Sequence, residues 1–214
     1  MNQTGQVDIK SEFGQLLTGY AELPEIHILL EVGTWKGNGT TACIVEGIRR
    51  KLERKPDLFA HFFSIETNLK FLMEANRLWM PKGLPFLQLL YGRLHSNGLL
   101  SRDEIEKDPL FESIQSHYNL WYDQDVRDYN SAPLINTKYL PEKIQMILLD
   151  GGEFSGYADW SILKEKQPIV VALDDTNVMK NAKVFEELSK DSTWELRHSS
   201  KDRHGWAIFV RKVS

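Results

Sequence analysis

Glycines and a carboxylate stand together where the first apolar run of the chain ends. The stretch LLEVGTWKGNGTT places Glu31 inside the run and Gly33, Gly37 and Gly39 directly after it. Glycines let the backbone turn tightly and approach a ligand closely. A carboxylate at the end of a buried strand is costly without a partner. Because it would repel a pyrophosphate and attract the ammonium and sulfonium of S-adenosylmethionine, we interpret the loop as a site for that compound. The alternative is that Glu31 caps the next helix or pairs with a lysine.

A second carboxylate ends the next apolar run, in the segment FFSIETN. Glu66 occupies the position from which an acidic side chain accepts hydrogen bonds from both ribose hydroxyls of an adenosine-containing ligand. This favours a nucleoside ligand without distinguishing S-adenosylmethionine from a nicotinamide cofactor. The alternative is an exposed carboxylate that merely ends a strand.

Three aspartates follow two later apolar runs. Asp150 ends MILLD, and Asp174 and Asp175 end VVALDD. At one edge of a parallel sheet these carboxylates would repel one another unless a cation or a shared proton lies between them. Oxygen ligands suit Mg²⁺ or another divalent ion, which would bind two substrate oxygens and lower the pKa of a hydroxyl. The alternative is that Asp150 contacts the cofactor while Asp174 or Asp175 caps a helix.

Methylation of an oxygen also requires a base. Asp150 and Glu153 are the nearest candidates in the sequence, and His95 and His204 are more remote ones.

The elements that position these residues are short apolar runs that alternate with helix-length segments. This alternation predicts an α/β fold, a doubly wound and mostly parallel sheet covered on both faces. The predicted parallel strands lie within 26–32, 58–66, 86–92, 143–152 and 168–175, and the helices within 40–54, 69–80, 159–166 and 178–190. The last two runs, TWELRHSS and HGWAIFVRKV, have no helix between them, which predicts an antiparallel hairpin and seven strands in all.

One long connection does not fit the alternation. Residues 97–138 lie between the third and fourth predicted strands and contain several aromatic residues, among them Tyr118, Trp121, Tyr122 and Tyr129. The part from about 102 to 120 has helical character. So long a connection is usually functional or disordered, and it is interpreted either as a substrate lid or as a surface insertion or oligomer contact. The whole chain, 1–214, is predicted to be a single domain with this insertion.

The charge and residue composition of the chain disfavour some classes of binding partner. The chain has 214 residues and a net charge of −4, so no general positive field would hold nucleic acid. Its one cysteine, Cys43, cannot form an internal disulfide, and no secretion signal or apolar run of about 18 residues is present. We therefore expect a soluble, cytoplasmic protein with no membrane partner.

These motifs resemble those of a known family. EVGTWKGNGTT resembles the glycine motif of class I S-adenosylmethionine-dependent methyltransferases, in the form found in catechol O-methyltransferase-like enzymes and bacterial sugar O-methyltransferases. IETN resembles the family's acidic motif, and LDGGEF with LDDTN resembles its metal-bearing strands. The resemblance runs from about residue 26 to the end, without 97–138. It implies a Rossmann-like methyltransferase fold and methyl transfer to a hydroxyl of a small molecule, with self-association common among relatives.

The resemblance also implies a set of site residues. The donor would be bound by Glu31, Gly33, Thr34, Trp35, Gly37, Gly39, Glu66, Asn68, Gly92, Arg93, Leu94 and Asp150, and a divalent metal such as Mg²⁺ by Asp150, Asp174 and Asp175. The sequence departs from the family at Gly152 and Glu153, where relatives often carry a second acid and a histidine. Glu153 also takes the position of the lysine base of the catechol enzymes. These departures weaken the assignment of the base and, less so, of the metal.

Three other functions fit parts of the pattern. A short-chain NAD(P)-dependent dehydrogenase would use the same glycine spacing and the pair Tyr139 and Lys143. That pair requires a helix, and Pro141 between the two residues disfavours one. The remaining alternatives are a metal-independent N-methyltransferase and an inactive binding module of the same fold.

Overall fold

A seven-stranded sheet forms the centre of the protein in the computed structural model, which describes residues 7–212. The strands are β1 (Ile28–Val32), β2 (His61–Glu66), β3 (Leu87–Tyr91), β4 (Met146–Leu149), β5 (Val170–Asp174), β6 (Trp194–Ser200) and β7 (Trp206–Arg211). Their order across the sheet is β3-β2-β1-β4-β5-β7-β6. All neighbours run parallel except β7, which pairs antiparallel with β5 and with β6. The predicted fold class and the closing hairpin are confirmed.

The helices cover both faces of the sheet. The longer ones are α1 (Glu12–Glu22), α2 (Thr40–Arg54), α3 (Leu69–Trp79), α6 (Tyr118–Ser131), α7 (Gly156–Leu163) and α8 (Met179–Lys190), with two short helices, α4 (Arg102–Glu106) and α5 (Phe111–Ile114), before α6. Every residue of β4 and β5 is buried. Continuous apolar strands of this kind require a helical layer on each side, and two separate apolar clusters fill the two layers.

Helix α1 is absent from the sequence prediction, which identified only a polar start to the chain. Ser11 caps it, since its hydroxyl accepts a hydrogen bond from the backbone N–H of Gly14 at 3.1 Å. The hydroxyl of Thr18 donates to the carbonyl of Cys43 at 3.0 Å, which ties α1 to α2. Leu17 and Ala21 are fully buried in the same contact. The helix therefore extends the apolar layer on this face of the sheet.

The insertion forms an ordered cap over the carboxyl edge of the sheet. Ile105, Ile114 and Tyr118 pack in one apolar cluster with Phe154, Val178 and Met179, which follow β4 and β5. A parallel bridge between Arg93 and Leu134 attaches its end to the segment after β3. The predicted helical stretch of 102–120 contains α4 and α5, but the main helix of the insertion begins only at residue 118.

The strand order reverses between β1 and β4. The chain leaves β1 toward β2 on one side, while β4 and β5 extend the sheet on the other. Ligands in open α/β sheets bind in the crevice that this reversal opens at the carboxyl ends of the strands. Within residues 7–212, no helix combines the length and apolar character needed to cross a bilayer.

Candidate active site

A cavity of about 470 Å³ opens at this crevice. Its volume lies in the range of small-molecule and cofactor sites. It is lined by the loop after β1, by the segments that follow β2, β3 and β4, by one face of α6, and by Lys180 at the start of α8. The insertion therefore contributes directly to the site, with Trp121, Gln124, Asp125, Asp128 and Tyr129 in its wall.

Gly33 is required where the loop leaves β1. Its φ is +98°, and its N–H donates to the carbonyl of Ile65 at 2.8 Å. A Cβ at this position would lie 2.0 Å from the backbone oxygen of Asp150. The glycine thus allows the ends of β1 and β4 to come together at the floor of the cavity.

We expect Gly33→Ala to destabilise the protein by about 3 kcal/mol or more, because it adds a backbone clash to a strained φ. Gly83→Ala is the matched control. Gly83 has a φ of +57° and open space around its Cβ position, so the loss there should be about 1–2 kcal/mol. Urea unfolding measures the free energy of unfolding of both variants. Equal losses of stability would show that the clash with the Asp150 backbone adds nothing to the cost of the strained φ.

Gly37 and Gly39 differ in role. Gly37 packs against Trp79, whose Nε1–H donates to the Gly37 carbonyl at 2.8 Å, and it lies outside the cavity wall. Gly39 lines the cavity and precedes the first residue of α2, where no side chain caps the helix. The free N–H groups of that first turn are therefore available to an anionic group of a ligand.

Glu31 lies beneath the loop. It is fully buried, and its carboxylate accepts hydrogen bonds of 2.6 Å from each of three hydroxyls, those of Thr40, Thr41 and Ser64. Burial raises the pKa of Glu31 to about 7, while the three hydroxyls act in the opposite direction. Its partners are thus neither backbone N–H groups at a helix start nor a lysine. A direct bond from Glu31 to a ligand remains a prediction, whereas its contacts fix the first turn of α2 beside the cavity.

Glu66 faces the cavity from the end of β2. One carboxylate oxygen accepts from the N–H of Trp35 at 2.6 Å, and the other from the N–H of Asn68 at 2.7 Å. Burial raises its pKa to about 7. Each oxygen retains a second lone pair for a ligand hydroxyl. The side chain of Asn68 donates to Asp128 of α6 at 2.8 Å, which joins this wall of the cavity to the insertion.

Asp150, Asp174 and Asp175 do converge, with carboxylate oxygens within 4.8 Å of one another. The cation between them is the ammonium of Lys180, 2.8 Å from Asp150 Oδ1 and 3.0 Å from Asp175 Oδ2. Arg203 pairs with Asp174 at 3.0 Å. Each of these cations takes one carboxylate oxygen, whereas Asp174 Oδ1 and Asp175 Oδ1 are buried without a hydrogen-bond partner. A divalent ion at this cluster therefore remains a prediction.

Lys180 was not among the site residues predicted from the sequence. Its signal is a lysine in the first turn of the helix that follows an acidic strand end, a position where the helix dipole disfavours a positive charge.

Glu153, after β4, and Asp125, on α6, both line the cavity. Burial raises the pKa of Glu153 to about 7 and that of Asp125 to about 6, and the charge of Asp125 contributes to raising the pKa of Glu153. Asp125 accepts a hydrogen bond from the N–H of Phe154 at 3.2 Å. A carboxylate with a pKa near neutrality is suited to accept a proton from a substrate at physiological pH.

Ten of the twelve predicted donor-site residues line the cavity, and Glu31 and Gly37 lie beneath it. Asp150 and Glu153 line it as well, whereas Asp174 and Asp175 lie behind Lys180. The remaining candidates lie outside the wall. His95 contacts Tyr129 and Asp159, His204 is exposed, and Tyr139 of the dehydrogenase pattern is 86% exposed.

The wall of the cavity is strongly acidic. Within the described residues it contains six carboxylic side chains, Glu66, Asp125, Asp128, Asp150, Glu153 and Asp159, and two cationic ones, Arg93 and Lys180. Such a site disfavours the phosphates of a dinucleotide and favours a ligand that carries positive charge.

The comparisons with known proteins give structural matches only. No family model matches the sequence, and no curated protein matches it. A methyltransferase from Geobacter sulfurreducens has a TM-score of 0.56 at 12% identity, over 95% of this chain and 80% of that one. An SAH-bound methyltransferase of Podospora anserina has a TM-score of 0.56 at 13% identity, over 94% and 78%. An O-methyltransferase from Bacillus cereus in complex with SAH has a TM-score of 0.56 at 15% identity, over 96% and 83%. With its sheet order and closing hairpin, the chain has the Rossmann-like fold of S-adenosylmethionine-dependent methyltransferases.

Proposed function

We propose that this protein transfers the methyl group of S-adenosylmethionine to a hydroxyl of a small molecule. The observation that carries the proposal is the acidic cavity at the switch point of the sheet, with six carboxylic side chains against two cations. A sulfonium and an ammonium are attracted to such a wall, and a dinucleotide pyrophosphate is repelled. The fold and the SAH complexes of two matched structures agree with this assignment.

The residues present fit this donor. Glu66 offers one free lone pair on each oxygen to the two ribose hydroxyls. The uncapped start of α2 at Gly39 and Thr40 offers N–H groups to the carboxylate of the methionine part. The ammonium of the methionine part is attracted to the acidic wall of the cavity as a whole. The segment Gly92 to Leu94 lines the same cavity and is assigned to the adenine by the family resemblance.

When bound, S-adenosylmethionine supplies a methyl group activated by the positive sulfur. The residues of this chain would then orient the acceptor and take its proton. The carboxylate of Glu153 would accept the proton of the acceptor hydroxyl while that oxygen receives the methyl group. The pKa of about 7 suits Glu153 to this role at neutral pH.

Isothermal titration calorimetry with S-adenosylhomocysteine, S-adenosylmethionine and NADH tests the proposal. We expect micromolar binding of the two adenosyl sulfur compounds and no saturable binding of NADH. Tight binding of NADH without binding of S-adenosylhomocysteine would favour the dehydrogenase instead. Binding of both sulfur compounds with no methyl transfer to a panel of phenols, sugars and amines would favour the inactive module.

A further inference from the structure

A buried lysine, Lys180, lies among the carboxylates at the carboxyl edge of the sheet. Lys180 Nζ lies 2.8 Å from Asp150 Oδ1 and 3.0 Å from Asp175 Oδ2, and its side chain is 6% exposed. Both contacts are ion pairs within the buried part of the site, so the amine lies where two carboxylates favour a positive charge.

Other contacts fix Lys180 in this place. It is the second residue of α8, where the positive end of the helix dipole disfavours a cation. The side chain of the next residue, Asn181, donates to the carbonyls of Leu149 at 3.0 Å and Asp174 at 2.7 Å. These bonds attach the first turn of α8 to the ends of β4 and β5. A buried lysine held against an unfavourable dipole requires the carboxylates as partners.

A divalent ion would compete with these cations for the carboxylates. The ammonium takes one oxygen each of Asp150 and Asp175, and Arg203 takes one of Asp174, while Asp174 Oδ1 and Asp175 Oδ1 are buried without a hydrogen-bond partner. A metal bound to these second oxygens would need the rest of its about six oxygen ligands from water or substrate. A metal among these groups would also lie within a few ångströms of a buried positive charge, where repulsion is strong.

We propose that the Lys180 ammonium replaces the divalent metal at this site, so that the protein binds no metal there and needs none. The absence of a metal at this site does not depend on the proposed function; only the role of Lys180 in catalysis rests on it. An ammonium has three donors, and two are used by Asp150 and Asp175. Lys180 lines the cavity, and its third N–H is the group that would bind an acceptor oxygen in place of a metal.

Titration with Mn²⁺, followed by the electron paramagnetic resonance signal of the free ion, tests this replacement. We expect no binding by the wild-type protein below millimolar Mn²⁺. Lys180→Met removes the charge while preserving much of the side-chain volume, and it should bind Mn²⁺ at least about tenfold more tightly. Lys183→Met is the matched control, because Lys183 is exposed on the same helix, and it should behave as wild type.

Lys180→Met leaves two carboxylates, Asp150 and Asp175, without their buried partner, so the double variant Lys180→Met/Asp175→Asn is measured beside it. That variant removes one charge of each sign and keeps an oxygen ligand at position 175, and it too should gain Mn²⁺ binding. Micromolar Mn²⁺ binding by the wild-type protein that Asp150→Asn abolishes would overturn the proposal, as would unchanged Mn²⁺ affinity in both Lys180 variants. The titration needs no methyl acceptor, so its result stands apart from any failure of methyl transfer itself.

Discussion

Glu153→Gln should lower kcat for methyl transfer at neutral pH by about 10²–10⁴-fold, the usual contribution of a general base. Glutamine has nearly the same shape and still lines the cavity, but it cannot accept a proton. Because none of the hydrogen bonds proposed above for the methyl donor involves Glu153, binding of S-adenosylhomocysteine should change little. The loss should therefore appear in kcat and not in donor affinity.

The pH dependence gives a second, independent measurement. Burial raises the pKa of Glu153 to about 7, so the carboxyl is mostly protonated below that pH and cannot act as a base. Wild-type activity should accordingly rise as the pH increases through about 7 and then level off. In Glu153→Gln the residual activity should lack this ascending limb.

Glu142→Gln provides a matched control, since Glu142 is exposed and lies outside the cavity wall. It should retain full activity and the wild-type pH profile. An unchanged kcat in Glu153→Gln would assign proton removal to another group, and the other sequence candidate, Asp150, would then be tested in the same way.

The sheet could be predicted from the sequence because its strands are buried on both faces. Runs such as MILL and VVALD have no alternation, and only a parallel sheet between two helical layers buries them completely. Helix α1 was not predicted, although its buried residues Phe13, Leu17 and Ala21 recur every four residues, the spacing of an amphipathic helix. The helix is only 11 residues long, and helices of this length depend on tertiary packing, here on α2.

The site was predictable where function depends on strand ends and glycines, and not where it depends on tertiary partners. Glu66 is the last residue of its strand, so its place at the cavity could be inferred from position alone. Lys180 lies 30 residues from Asp150 in the chain, and its position in the first turn of α8 does not by itself reveal which carboxylates it contacts. Likewise, the composition of the insertion does not reveal that α6 turns Trp121 and Asp125 toward the cavity.

Glu66→Gln should weaken binding of S-adenosylhomocysteine by about 10–100-fold. Hydrogen bonds to a charged group contribute about 1.5–3 kcal/mol, and each factor of ten in affinity corresponds to about 1.4 kcal/mol. The amide also presents an NH₂ group to one of two backbone donors, the N–H of Trp35 or that of Asn68. The substitution therefore affects both the proposed ribose contact and the shape of the loop.

A ligand that lacks the two ribose hydroxyls separates these effects. Calorimetry with the 2′,3′-dideoxy analogue of S-adenosylhomocysteine should show weaker binding to the wild-type protein and little further loss in Glu66→Gln. The mutation and the missing hydroxyls would then report on the same interaction, as in a double-mutant cycle. Equal losses for both ligands would instead mean that Glu66 acts only through the backbone of the loop, and the assignment of the ribose to the end of β2 would be wrong.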